Sequence, residues 1–206
     1  MRKIAESTVR RLSLYLRFLE EFEAKGIATV SSGEVAQRGG TTSAQVRKDL
    51  SLFGSFGKRG MGYSVPELTR AVRDILGLGR PYVVAVVGAG NVGSALARYS
   101  GFSARGFHVR WVYDQDPGKV GLSWDGLRVR DVKDLESDLV DQPPDIAVVA
   151  TPESAAQALA DRLVTLGVKA FLNFAPVQLV VPEDVVVKNV NMAIELETLS
   201  YALRHR

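Results

Sequence analysis

Residues 82–97 read Tyr-Val-Val-Ala-Val-Val-Gly-Ala-Gly-Asn-Val-Gly-Ser-Ala-Leu-Ala. Tyr82–Val87 is a short apolar, β-rich run, and Ser94 to Arg98 continues as a helix. Between them Gly88-Ala89-Gly90-Asn91-Val92-Gly93 fits the pattern G-x-G-x-x-G in the strand–turn–helix context that gives the pattern meaning. The first glycine permits a sharp turn, the second lets the backbone approach a pyrophosphate, and the third lets helix and strand pack closely. Phosphates then sit on exposed N–H groups at the positive end of the helix dipole. The bland alternative is that the glycines only tighten a β–α turn.

Outward from that turn, Asp114 ends the next apolar run, 21 residues after Gly93. A carboxylate there accepts hydrogen bonds from ribose hydroxyls and repels a 2′-phosphate, which favours NAD over NADP. Asp116 competes for the role, and a strand-end Asp can also do no more than start a turn before Pro117-Gly118. Val109–Tyr113, Ile146–Ala150, Phe171–Phe174 and Val185–Val190 are further strand-like runs, with helical stretches between several of them, notably Pro152–Leu166. Alternating strands and helices predict a parallel α/β sheet. Asn191 to His205, with Ile194, Leu196, Leu199 and Leu203, reads as one last helix.

Before Gly77–Pro81 the rhythm differs. Leu12, Tyr15, Leu16, Leu19 and Phe22 recur at three and four residues, the stripe of an amphipathic helix over about 5–25 that Gly26 stops. Ser31 or Ser32 opens a short helix ended by Gly39-Gly40, and Thr41-Thr42 caps a third with Val46, Leu50 and Phe53 on its apolar face. Gly54 to Tyr63 reads as a tight hairpin, and Pro66 starts a fourth helix. Three helices followed by a glycine-rich hairpin describe a winged helix, whose third helix enters the major groove of DNA. On that helix Ser43, Gln45, Arg47, Lys48 and Ser51 suit base edges and phosphates. Lys58, Arg59 and Gly60 form a slender basic tip suited to a minor groove. The competing explanation is a solvated charged face on a dimerisation domain.

Charge follows the same division. Residues 1–80 hold 14 Lys+Arg against 8 Asp+Glu, and the rest hold 12 against 15, within an overall +3. A basic first part facing a polyanion is the expectation. With 206 residues, 46% hydrophobic and 24% charged, the chain has material for one large or two modest domains. The absence of Cys excludes disulfides, thiolate metal sites and cysteine nucleophiles, and two histidines are too few for a histidine-rich metal centre. No metal is expected. No apolar run approaches a membrane span, and the first residues lack a secretion signal, so a cytoplasmic protein without membrane contact is the default.

Ser43–Leu52 with Phe53-Gly54-Ser55-Phe56-Gly57-Lys58-Arg59-Gly60 is similar to the DNA-reading helix and wing of Rex, a family of bacterial redox-sensing transcriptional repressors. The Gly88–Gly93 turn, Asp114 to Asp116-Pro117 with Lys119-Val120-Gly121, and Leu172-Asn173-Phe174-Ala175-Pro176 resemble the same family, in order and over nearly the whole chain. The resemblance implies an α/β protein with a winged-helix DNA-binding domain over 1–79, a Rossmann-like NAD(H)-binding domain over 80–190, and a C-terminal helix over 191–206 exchanged between subunits of a homodimer. It implies a repressor that holds palindromic double-stranded operator DNA as apo or NAD⁺-bound protein and is released by NADH.

By the same resemblance the cofactor contacts are Gly88, Ala89, Gly90, Asn91, Val92, Gly93, Asp114 and Lys119, with Tyr99, Phe102, Thr151, Pro152, Asn173 and Pro176 on the nicotinamide side. Where the family often has Asp at the start of the last helix, this chain has Asn191. That Asp is thought to partner an arginine of the first helix, here Arg17, and a tyrosine, here Tyr99. Asn accepts a hydrogen bond but brings no charge, so an ionic pair becomes a neutral one. Two alternatives stay open: a DNA-binding protein with a purely structural NAD, and an NAD-dependent oxidoreductase. The second needs a proton relay, and His108 and His205 are poor candidates.

Overall fold

The computed structural model describes residues 4–57 and 61–205. Lys58, Arg59 and Gly60, expected at the tip of the basic hairpin, lie outside the described residues. The chain divides into two compact units, Met1–Arg80 and Pro81–Arg206.

In the first unit α1 (Glu6–Ala24) buries Leu12, Tyr15, Leu16, Leu19 and Phe22, the three-and-four spacing that makes one apolar face. It stops at Gly26, where φ is +70°. A two-residue strand β1 (Thr29–Val30) leads into α2 (Ser32–Arg38). The Ser31 side chain and Glu34 cap α2 reciprocally. Then α3 (Ser43–Ser51) follows, with the Thr42 hydroxyl accepting from the Gln45 N–H at 3.2 Å. Strand β2 (Tyr63–Ser64) pairs antiparallel with β1, and α4 (Val65–Ile75) carries Pro66 in its first turn, where no N–H is missed. Val46, Leu50, Val65, Leu68 and Val72 close the core over α1.

One expectation is corrected here. Phe53 lies beyond the end of α3 and is only partly buried against the core. The tip of the hairpin expected across 54–63 lies outside the described residues; of its flanks, Tyr63 pairs with Val30, and Gly54–Gly57 is not a strand. At Gly57 φ is +76°, and a β-carbon there would lie 2.4 Å from the Gly62 carbonyl oxygen, so the two flanks approach closely where only glycine fits.

The second unit runs β3 (Tyr82–Val87), α5 (Asn91–Ala97), α6 (Ser100–Ser103), β4 (Phe107–Asp114), β5 (Ser123–Trp124), β6 (Leu127–Asp131), α7 (Leu135–Leu139), β7 (Ile146–Val149), α8 (Glu153–Thr165), β8 (Ala170–Asn173), β9 (Val186–Asn189) and α9 (Met192–Arg204). The sheet order is β5-β6-β4-β3-β7-β8-β9, parallel throughout except for β5 against β6. Leaving β5 aside, this is the doubly wound nucleotide-binding order, which reverses between β3 and β7 and opens a crevice beyond their carboxyl ends. Alternate residues of β3 face opposite layers: Val84 and Val86 join one buried cluster, Ala85 and Val87 the other. Because both faces are covered, the strands read as continuous apolar runs. On α9 no residue is buried, and Ile194, Leu196, Leu199 and Leu203 are exposed. Among the described residues no helix is long and apolar enough to cross a membrane.

Candidate functional site

At the crevice where the sheet order reverses lies a cavity of about 1150 Å³. The turn after β3 supplies Gly88, Gly90, Asn91 and Val92. The end of β4 supplies Asp114, Gln115, Asp116 and, further on, Lys119, while the turn after β7 supplies Ala150, Thr151 and Pro152. Leu159 and Arg162 of α8, Lys133 and Phe174 complete much of the wall.

The three glycines of the turn are demanded by different neighbours. At Gly88 φ is +102° and a β-carbon would lie 2.4 Å from the Ala150 carbonyl oxygen. At Gly93 it would lie 1.7 Å from the Gly88 carbonyl oxygen, so α5 packs on β3 through bare backbone. At Gly90 a β-carbon would meet nothing within 4 Å, and φ is an ordinary −75°. Nothing inside the protein requires glycine there, whereas a group lying against the turn from the cavity would. Gly90 also has no side-chain oxygen to cap α5, which leaves the first N–H groups of the helix free for an anion.

Asp114 is 8% exposed. Its Oδ2 accepts from the Ala89 N–H at 2.7 Å and its Oδ1 from the Asp116 N–H at 2.8 Å, with Lys119 Nζ 3.3 Å from Oδ2. Burial alone pushes this carboxyl up, but the two N–H donors and Lys119 outweigh it and hold it below the usual carboxylate range. Asp114 is thus a pin that fastens the glycine turn to the end of β4. Asp116, also on the cavity wall, has its side chain about half exposed, 3.7 Å from Lys119 Nζ. On the opposite wall the Thr151 hydroxyl is buried without a hydrogen-bond partner among the described residues. A buried hydroxyl left so costs about 1–3 kcal/mol, which a polar ligand recovers. Both features fit a dinucleotide.

Of the expected cofactor contacts, Gly88, Gly90, Asn91, Val92, Asp114, Lys119, Thr151 and Pro152 line the cavity; Ala89 and Gly93 are buried behind it. The remaining four are elsewhere. Tyr99 is exposed and packs edge-on against Phe102 with ring centroids 5.2 Å apart, neither on the cavity wall. Asn173 is wholly buried. Its Nδ2 donates to the Val177 carbonyl at 2.7 Å and to Asn189 Oδ1 at 2.9 Å, and its Oδ1 accepts from the Ala175 N–H at 3.0 Å. Its amide ties the 173–177 turn to β9, and it is not on the cavity wall. Pro176 is exposed on that turn, and Phe174 is the segment's residue on the wall.

Among the expected switch residues, Arg17 is exposed on α1 of the first unit. In the second unit Asn191 Oδ1 accepts from the Ala193 N–H at 3.0 Å, an N-cap for α9. No group of His, Cys, Asp or Glu among the described residues could hold a metal ion.

On α3, Arg47 and Lys48 are exposed, with Arg47 Nη1 donating to Ser32 Oγ at 3.0 Å. Ser43 and Gln45 are half-buried at the N-terminal end. Ser51 donates its hydroxyl to the Lys48 carbonyl at 2.8 Å, within its own helix. Beneath them lies a residue that sequence reading missed, Asp49, 1% exposed and gripped by Arg11, Tyr15 and Gln45. The signal was present as a polar residue between Val46 and Leu50 on the inward face.

Residues 3–51 match the family described as "Putative DNA-binding protein N-terminus", and residues 80–177 match the "CoA binding domain" family. The chain is 48% identical over 202 residues to the redox-sensing transcriptional repressor Rex of Carboxydothermus hydrogenoformans, spanning 98% of this chain and 97% of that protein. It is 46% identical over 200 residues to the Rex of Streptomyces coelicolor, spanning 97% and 78%. Among solved structures, RSP in complex with β-NAD⁺ and operator DNA superposes with a TM-score of 0.93 at 38% identity, over 100% of this chain and 94% of that one. RSP described as a Rex-family repressor gives 0.90 at 38%, over 100% and 96%. RSP in complex with β-NADH gives 0.88 at 37%, over 100% and 96%. With a glycine turn that leaves room for a dinucleotide and relatives this similar along almost its whole length, the chain belongs to the Rex family of redox-sensing transcriptional repressors.

Proposed function

We propose that this chain is a homodimeric repressor that binds palindromic operator DNA through α3 and the basic segment after it, and that NADH in the crevice of the second unit releases it. The single observation that carries the reading is Gly90, whose absent side chain serves no neighbour in the protein and opens the turn to a pyrophosphate. The support from relatives is the pair of RSP complexes, one with β-NAD⁺ and operator DNA and one with β-NADH.

In this reading the N–H groups after Gly90 hold the pyrophosphate and Thr151 offers its unpaired hydroxyl. Asp114 holds the turn in shape from behind, leaving Asp116 as the carboxylate with room to meet ribose hydroxyls. Bound nicotinamide supplies the signal itself, since its ring is cationic when oxidised and neutral when reduced. Val87, Pro152 and Phe174 give the wall an apolar share that favours the neutral ring. A difference of about 3 kcal/mol between the two DNA-binding states changes affinity by more than a hundredfold.

Dimerisation is supported by α9, an apolar helix with nothing over it in the single chain, the kind of surface that a second copy covers. Exchange of α9 between subunits and a change in the spacing of the two reading helices complete the switch. In this reading the dinucleotide is sensed and not consumed, in keeping with relatives that bear the name of transcriptional repressors. A chromosome-binding repressor of this kind works in the cytoplasm.

A second reading has one observation behind it. Asn191 stands where the family often has Asp, and its oxygen is spent capping α9, which favours a structural cofactor that does not switch. Calorimetric titration of the full chain with each dinucleotide tests the binding half of the proposal. Heat with both, and tighter binding of NADH, is expected; no heat with either, from folded protein, contradicts it.

A further inference from the structure

Asp49 lies on α3 with its carboxylate turned away from solvent, yet four donors converge on it. Arg11 Nε and Nη2 reach Oδ2 and Oδ1 at 2.6 and 2.8 Å, the Tyr15 hydroxyl reaches Oδ2 at 3.0 Å, and Gln45 Nε2 reaches Oδ1 at 2.8 Å. Arg11 and Tyr15 belong to α1, so the carboxylate ties the reading helix to the longest helix of the unit through a two-pronged ionic bond. Burial pushes the Asp49 carboxyl up, but Arg11, Gln45 and Tyr15 together hold it below its ordinary value. It is therefore an ion near neutral pH, and an ionised carboxylate only accepts.

That settles which way the Gln45 amide faces. Its nitrogen must point at Asp49, because the oxygen would meet another acceptor. The Gln45 backbone is held as well, its N–H donating to the Thr42 hydroxyl at 3.2 Å. What remains of the amide is Oε1 and one N–H, fixed on a half-buried residue in the first turn of α3. An acceptor beside a donor is the pattern that matches N6 and N7 of adenine in the major groove.

We propose that Asp49 is a positioning residue for base reading: its buried carboxylate fixes the flip of the Gln45 amide and thereby makes Gln45 select adenine. The proposal rests on α3 being the DNA-facing helix, as argued above. Arg47 and Lys48, exposed and cationic on the same helix, suit phosphates and base edges alike and do not depend on Asp49.

The test is selection of double-stranded oligonucleotides with a randomised centre by the full chain, without NADH, for wild type, Gln45→Ala, Asp49→Asn and the double variant. The wild type is expected to enrich a palindrome. Gln45→Ala and Asp49→Asn should each lose about tenfold of preference for A·T at one and the same position per half-site, and the double variant no more than either. Other positions and the salt dependence should be kept. Asp49→Asn that weakens binding evenly on every sequence, or that keeps the preference Gln45→Ala loses, overturns the proposal, as does a shared position occupied by G·C. A wild type that enriches no motif overturns the DNA-facing reading of α3 and this proposal with it. Thermal melting and NADH binding report whether Asp49→Asn folds. Should it not, NMR of the wild type alone still decides: the Gln45 side-chain amide must show two well-separated, slowly exchanging protons, and random-coil shifts there overturn the proposal.

Discussion

The carbonyl oxygen of Gly88 lies 1.7 Å from the place where a β-carbon on Gly93 would stand. Strand and helix therefore meet at a point that admits no side chain, while three residues before Gly93, Gly90 has space to spare. The two glycines must respond to substitution in opposite ways. Gly90→Val should fold with a melting temperature near that of the wild type and lose NADH binding by a hundredfold or more. Gly93→Ala should unfold the second unit or shift its melting by many degrees. Parallel melting and calorimetry of the two variants check this; equal destabilisation by both contradicts it.

Asp114→Ala leaves the buried Ala89 N–H without its 2.7 Å partner and lets the turn drift from the end of β4. A loss of about 1–3 kcal/mol in stability is expected from the orphaned donor. NADH affinity should fall as well, since the glycine turn proposed to hold the pyrophosphate is no longer pinned. Asp114→Asn, which keeps one acceptor oxygen, should fall between. Denaturant unfolding and calorimetry of both variants give the comparison.

Acid and alkali should each weaken the first unit through one cluster. The Asp49 carboxyl is held below its unfolded value, so its contribution is present above about pH 4 and is lost as pH falls through the lower folded value. Asp49→Asn should be less stable than the wild type at neutral pH and show a shallower decline below pH 4. The Tyr15 hydroxyl is pushed up to about 12 by burial first and by its bond to Asp49 second. Its contribution is complete below its unfolded value of 10.0 and is lost as pH climbs towards 12. Tyr15→Phe should remove most of that alkaline slope. Stability measured across pH for the three proteins decides both arms.

Lys48 is exposed on α3, three residues from Gln45. If it neutralises one phosphate, Lys48→Ala weakens binding evenly across sequences and lowers the salt slope by about one. Gln45→Ala should leave that slope alone. Operator affinity measured over a series of salt concentrations separates the two kinds of contact.

The parts legible in the sequence are those set by local chemistry. Gly88–Gly93 declares its turn because only glycine tolerates φ of +102° at Gly88 or the contact at Gly93. The apolar runs of β3, β4, β7 and β8 declare themselves because both faces of the sheet are covered. The β5–β6 hairpin went unread: Leu127–Asp131 buries Val129 alone, so it carries no apolar run. The site was harder still, because long-range partners define it. The sequence shows Asp114 at the strand end, but not that Ala89 donates to it across 25 residues of chain. Asn173 gives no hint in the sequence that its amide binds Ala175, Val177 and Asn189. Gln45 and Asp49, four residues apart, read as an ordinary helix-surface pair, and only Arg11 and Tyr15 from α1 make them a clamp.

The most direct test of the central claim is the affinity of the full chain for its selected palindromic duplex, measured as the NADH/NAD⁺ ratio is raised at constant total dinucleotide. The account predicts strong binding with NAD⁺ alone and a fall of at least a hundredfold as NADH comes to dominate. Affinity that stays level across the whole range, with calorimetry showing both dinucleotides bound, would contradict it.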